Sequence, residues 1–162
     1  MVDTSAVGSK LAPSTVVMER QPLSIFAKAV KSKSAIYQDA TVAKENGFDA
    51  IPAPPTWCFA ASLFGAYPEL QPEGAGAINP GLLVIRDLAA KGGLILHGEQ
   101  AFTYHRPILA GDTLTTEGEV KDINQKTSSS GSVMTFVASE TRWTNQRGEL
   151  AVTSVMTLIH KS

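Results

Sequence analysis

Residues 54–67 read "PPTWCFAASLFGAY", with two prolines directly ahead of the most apolar segment of the chain. Proline fixes φ and lacks the amide hydrogen that the first turn of a helix leaves unpaired anyway, so the pair marks a helix start. The spacing predicts a helix beginning at Pro55 or Thr56. Its Trp57, Phe59, Ala60, Ala61, Leu63 and Phe64 leave no polar face. A helix apolar all round has to be enclosed by the rest of the protein.

Upstream of that helix the signals are mostly helical. "TVVME" (15–19) is a short β-branched run that predicts a first strand. Pro22 sits where a first turn tolerates it, and Leu23, Phe26 and Val30 give the following helix one apolar stripe. A second short helix is framed by Asp39 as N-cap and Gly47 as stop. Downstream, "PELQPEGAGAINPG" (68–81) reads as a Pro- and Gly-rich loop, and Arg86 and Lys91 as solvated bases in a loop. From Gly92 onward the period becomes two. "GLILHGEQAFTYHRP" alternates with Leu94, Leu96, Phe102 and Tyr104 on one face and Ile95, His97, Glu99 and Thr103 on the other. "TLTTEGEVKDI", "SVMTFVASETRW" and "ELAVTSVMTLIHK" continue the pattern. They are separated by "NQKTSSSG", read as a polar loop, and "TNQRG", read as a hairpin turn. The expected second half is an antiparallel meander of four strands.

The expected fold class is therefore α+β, an antiparallel sheet wrapped around a long apolar helix. Residues 1–12 are expected to form a flexible N-terminal segment and 13–162 a single domain. Unpaired edge strands and one uncovered sheet face predict a dimer. A net charge of −1 removes the case for nucleic-acid binding, which needs clustered Lys and Arg. Cys58 is the only cysteine, so no intrachain disulfide forms. The polar start lacks the basic and apolar regions of a signal peptide, and no window approaches a membrane span. The expected location is cytoplasmic. No Cys/His spacing suggests a metal, and no Gly-rich loop suggests a phosphate cradle.

Three stretches resemble a known family. "FAKAVKSKSAIYQDATVAKENGFDAIPAPPTW" (26–57), "LHGEQAFTYHRPILAGDTL" (96–114) and "TRWTNQRGELAVTSVMTLI" (141–159) are similar to the MaoC-like dehydratases and R-specific enoyl-CoA hydratases, which have the hotdog fold. The likeness is to the N-terminal-half type, related to the substrate-binding subunit of mycobacterial hydroxyacyl-ACP dehydratase. It implies an acyl-CoA or acyl-ACP substrate with no separate cofactor. It also implies hydration or dehydration, and either a homodimer or a heterodimer with a catalytic MaoC-like chain.

Active members of that family take an Asp and a His from a Gly-Asp-x-Asn-Pro-(aliphatic)-His segment. With Ile36 as the aliphatic residue, the pattern puts Lys31 at the Gly, Ser32 at the Asp, Ser34 at the Asn, Ala35 at the Pro and Tyr37 at the His. Neither usual titrating group is present, and an ordinary Tyr loses its proton only near ~10. Active members often open the long helix with Ala-His-Gly, whose glycine amide faces the thioester oxygen. Here that position falls on Pro55, which has no N–H to give. Thr56 and Trp57 are left as the nearest amides.

The resemblance thus implies a substrate-binding or structural subunit, with Ser32, Pro55, Thr56 and Trp57 as substrate-binding candidates. The alternative is a self-sufficient homodimeric hydratase using Tyr37, His97 and Glu99, in which Glu99 raises the His97 pKa. The plainer readings are a wall or interface tyrosine and a satisfied sheet-face pair. His105 and Arg106 read as a structural turn, Cys58 as a small core residue and His160 as an exposed residue near the end of the chain. A hotdog thioesterase or acyl-thioester binding protein is a third reading. It is disfavoured because Pro55 to Tyr67 contains no Asp or Glu.

Overall fold

Alternating and β-branched runs supply five strands, and four short segments, two of them capped by Asp39 and Asn79, supply the helices. The structure is a computed structural model and describes residues 2–61, 64–129 and 131–162. In chain order the elements are β1 (Ser14–Val17), α1 (Arg20–Ala29), α2 (Ala40–Glu45), α3 (Trp57–Ala61), α4 (Pro80–Ala89), β2 (Leu94–Tyr104), β3 (Thr113–Thr127), β4 (Val133–Asn145) and β5 (Leu150–Lys161). The strands form one antiparallel sheet in the order β1-β3-β4-β5-β2. Only β3, β4 and β5 form a meander. β2 does not pair with its sequence neighbour; it lies beyond β5, at the sheet edge. The predicted polar loop at 124–131 is half strand, because β3 runs on through Thr127 with Asn124 opposite Phe136 and Lys126 opposite Met134.

The helices lie against one face of this sheet. Val16, Met18, Leu23, Trp57, Cys58, Leu114, Trp143 and Val152 form the larger apolar cluster, joining β1, α1 and α3 to the sheet. A second cluster sits under α4, where Ile85 meets Val120, Ile123 and Val137. Burying a side chain the size of Ile85 stabilises by about 1.5–3 kcal/mol, which is enough to anchor a ten-residue helix to the sheet.

Local signals set α2 as expected: the Asp39 carboxylate accepts from the amides of Thr41 (2.7 Å) and Val42 (3.3 Å), and Gly47 ends the turn at φ 86°. Two expectations are corrected. The apolar helix α3 is short, and it is not enclosed on all sides: Phe59 is 55% exposed. Leu63, assigned to that helix from the sequence, lies outside the described residues. Residues 80–89, taken as loop, form α4, with Asn79 Oδ1 accepting from the Gly81 amide (2.8 Å) and Pro80 in the first turn, so Arg86 is a helical residue. The N-terminal segment runs along β3, with Gly8 N–H donating to Val120 O (2.8 Å) and Leu11 N–H to Gly118 O (2.9 Å).

The strand β2 carries the correction that matters most for function. Its register against β5 shifts between His97 and Glu99, so Gly98 is a bulge. His97 stands opposite Leu158, whereas Glu99 stands opposite Thr157, and neighbours on β5 point to opposite faces. Ile95 and His97 therefore share the helix-covered face with Gln100, Phe102 and Tyr104, opposite His160, Leu158, Met156, Ser154 and Val152. Glu99 points the other way. His160, expected to be exposed, is buried with its Nε2 2.7 Å from Gly92 O.

Candidate functional site

The segment from Ile51 to Thr56 is pinned before α3 begins. Ala53 N–H donates to Ile108 O (2.7 Å) and Ala110 N–H to Ile51 O (2.8 Å), a short antiparallel bridge across the strand-end residues 108–110. The Tyr37 turn is held separately: Ser24 Oγ donates to Tyr37 O (2.7 Å) and Gln38 Nε2 donates to Ser24 O (3.0 Å). Between these two anchored segments and the end of β2 opens a cleft of about 350 Å³. Ile36, Phe48, Pro54, Pro55, Trp57 and Ile108 make its apolar walls, and Tyr37, Tyr104, His105 and Arg106 supply polar groups. An apolar pocket with a few converging polar groups is the usual form of a small-ligand site.

The polar groups are held in place. Thr56, in the left-handed region at φ 68°, donates its N–H to Tyr104 Oη at 3.0 Å. His105 Nε2 lies 3.1 Å from Thr153 Oγ1. Arg106 pairs with Glu149 at 3.2 Å. Hydrogen bonds from Asn145 and Arg147, with the Arg106 charge nearby, hold the Glu149 carboxyl below its usual pKa. Cys58 lines the inner wall, and burial pushes its thiol up to about 12, so it stays neutral and is no nucleophile at ordinary pH.

Of the residues singled out from the sequence, Tyr37, Pro55 and Trp57 line this cleft. Thr56 borders it through the amide bonded to Tyr104. Ser32 sits outside its lining, at the end of α1, where its N–H donates to Ala27 O (2.9 Å) and its Oγ accepts from Ser34 N–H (3.4 Å). His97 and Glu99 do not form a pair: the Gly98 bulge puts them on opposite faces, and His97 meets the edge of the Phe59 ring instead, at 5.2 Å between centroids. The imidazole that lines the cleft is His105. Sequence reasoning gave His105 only a turn role and Tyr104 none at all.

Among the described residues no cluster of His, Cys, Asp and Glu has metal-binding geometry, and no helix is long and apolar enough to cross a membrane. A second, larger cleft of about 510 Å³ lies under the N-terminal segment, walled by Lys10, Glu117, Glu119, Glu140 and Arg142. Its Lys10–Glu119 ion pair (2.8 Å) is a solvated surface contact rather than chemistry.

Comparison with known proteins agrees with this architecture. A UPF0336 protein of Thermobifida fusca is 33% identical over 147 residues, covering 91% of this chain and 85% of that protein. The HadBC (3R-hydroxyacyl-ACP dehydratase) complex of Mycobacterium tuberculosis has a chain that superposes with a TM-score of 0.63 at 23% identity, covering 91% of this chain and 93% of that one. The ChsH1–ChsH2 complex of the same organism gives 0.72 at 19% identity, covering 93% and 88%. These likenesses establish the hotdog fold. Residues 5–154 match the family described as the FAS1-like dehydratase domain region. By that match, which spans most of its length, the chain belongs to the FAS1-like dehydratase domain family.

Proposed function

We propose that this chain is the acyl-thioester-binding subunit of a MaoC-like hydratase or dehydratase, made active by a second hotdog chain that supplies the carboxylate and imidazole. The observation that carries the reading is the chemistry of the cleft. Where the family resemblance places the catalytic His stands Tyr37, and where it places the glycine amide stands Pro55. Ser32, at the family's Asp position, is turned into the end of α1. The cleft can therefore hold an apolar acyl group and orient a thioester, but it lacks the usual base for moving the α-proton. The bare edge of β2 favours a partner strand. Leu94 and Leu96 are 63% and 46% exposed on one face of that strand, and Ile95 is 49% exposed on the other, where Phe59 meets His97. Two of the matched structures are themselves complexes, HadBC and ChsH1–ChsH2. The substrate is acyl-CoA or acyl-ACP, and no separate cofactor enters the reading.

A second reading rests on His105. Tyr37 and His105 both line the cleft, so a self-sufficient homodimeric hydratase would use these two rather than His97 and Glu99. One experiment separates the readings: the purified chain is given a short and a long trans-2-enoyl-CoA while enoyl absorbance is followed. Binding without turnover, with turnover on adding the copurified partner, is the expected result. Turnover by the chain alone, abolished in His105→Ala, overturns the subunit reading.

A further inference from the structure

Tyr104 is the last residue of β2, and its ring forms part of the cleft wall beside Pro54, Pro55 and Trp57. It stands on the helix-covered face, opposite Val152, and stacks on Phe102 with ring centroids 6.1 Å apart. A phenol hydroxyl has one proton to donate and two lone pairs to accept with. One lone pair is taken by the Thr56 amide at 3.0 Å. Among the described residues no protein group accepts the hydroxyl's own proton. A hydroxyl that accepts an N–H bond is also polarised into a better donor. The arrangement therefore carries the pull of the Thr56 amide out through Oη, beside a proline that has no amide of its own.

We propose that Tyr104 is the carbonyl-binding residue of this cleft, its O–H donating to the thioester oxygen of a bound acyl thioester, with Thr56 N–H fixing the hydroxyl from behind. The inference rests on the acyl-thioester reading and adds the group that recognises the ester carbonyl. Pro54, Pro55 and Trp57 beside it are apolar, and the cleft's His105 and Arg106 already have partners in Thr153 and Glu149, so Tyr104 offers a donor for a carbonyl oxygen placed against that wall. The chemistry asks only for a neutral donor. No proton has to leave Tyr104. The left-handed Thr56 is part of the device. A non-glycine residue in that region is held there by its surroundings, and what its amide meets there is the phenol oxygen.

The test uses butyryl-CoA, a saturated thioester that cannot be hydrated, labelled with ¹³C at the thioester carbonyl. Saturation is followed by isothermal titration calorimetry, and the carbonyl stretch of the bound ligand by isotope-edited infrared spectroscopy. The wild-type chain is expected to lower that stretch relative to free thioester. In Tyr104→Phe the band returns to the free position, and binding weakens roughly three- to tenfold, about 0.7–1.4 kcal/mol at 1.4 kcal/mol per tenfold. Incorporating 3-fluorotyrosine at 104 keeps the shape and the Thr56 bond but makes a stronger donor, so the band drops further. This variant keeps the test decisive if Tyr104→Phe unsettles the Thr56 corner. A saturated wild-type complex with an unshifted carbonyl, or a shift that survives in Tyr104→Phe, overturns the assignment while leaving the acyl-thioester reading standing. Failure of butyryl-CoA and of butyryl-ACP alike to bind at any concentration removes both.

Discussion

The edge of β2 offers the sharpest test of how the chain assembles. Leu94, Ile95 and Leu96 are 63%, 49% and 46% exposed, and Phe59, whose ring lies 5.2 Å from that of His97 on the same strand, is 55% exposed. Those exposed portions amount to about two whole apolar side chains. At about 1.5–3 kcal/mol for a fully buried one, covering them yields roughly 3–6 kcal/mol per protomer, or about 6–12 kcal/mol when two copies pair edge to edge. Association itself costs about 4–15 kcal/mol, so the isolated chain is expected to self-associate weakly, and a better-fitting partner to bind more tightly. Leu96→Lys removes about 0.7–1.4 kcal/mol of that burial from each chain and sets an ammonium against its own copy. The dissociation constant should rise roughly 10- to 100-fold at about 1.4 kcal/mol per tenfold. Sedimentation velocity over a micromolar concentration series reads this directly, and a thermal melt checks that the variant stays folded. If wild type and Leu96→Lys sediment alike at every concentration, β2 is not the association edge and the argument from its exposed side chains is wrong.

Two further outcomes follow from buried groups. With its thiol at about 12 rather than 9.0, Cys58 carries roughly a thousandfold less thiolate at pH 8 than a free cysteine, so alkylation of the native protein should be slower by about that factor than in urea. A native rate within tenfold of the denatured one would contradict the buried placement. The sign with pH is fixed by the raised value: the preference of the fold for the neutral thiol is intact below 9.0 and is lost as pH rises from there through about 12, so the cost of Cys58→Ala should shrink in alkali. Gln100 Oε1 is buried on the helix-covered face of β2 and has no donor in the described structure. Gln100→Met removes that orphan acceptor at similar size, and should stabilise by about 1–3 kcal/mol and raise Tm by about 2–4 °C per kcal/mol. A fall in Tm would show that the amide is satisfied in solution.

What the sequence disclosed was local. Asp39 and Gly47 frame α2 because a cap and a left-handed glycine act within a few residues of each other. Asn79 and Pro80 carry the same kind of signal for α4, but the glycines and prolines around them hid it. The place of β2 beside β5 was not legible, since strand order depends on where the chain crosses over rather than on period. Nor was the bond from Thr56 to Tyr104, which joins residues 48 apart through a backbone conformation unusual for threonine. The cleft was half legible: Tyr37, Pro55 and Trp57 lie on the segment that carries the family resemblance, while Tyr104 and His105 come from a strand end brought there by the fold.

The one misread period in β2 governs most of the site. Were the strand regular, the face shared by Ile95 and His97 would continue through Glu99, Ala101 and Thr103, and Tyr104 would point away from the cleft. The extra residue at Gly98 reverses the alternation. It turns Glu99 outward, which removes a His97–Glu99 proton carrier, and turns Tyr104 inward to meet the Thr56 amide. Glycine suits the position because a Cβ there would run into the Ile159 side chain, with Cγ1 only 2.6 Å away. A single bulge therefore separates His97 from Glu99 and brings the Tyr104 hydroxyl to the cleft wall. The same strand end sets the His105 imidazole next to Tyr104 in the cleft lining, so the bulge at Gly98 decides which side chains of β2 reach the cleft and which do not.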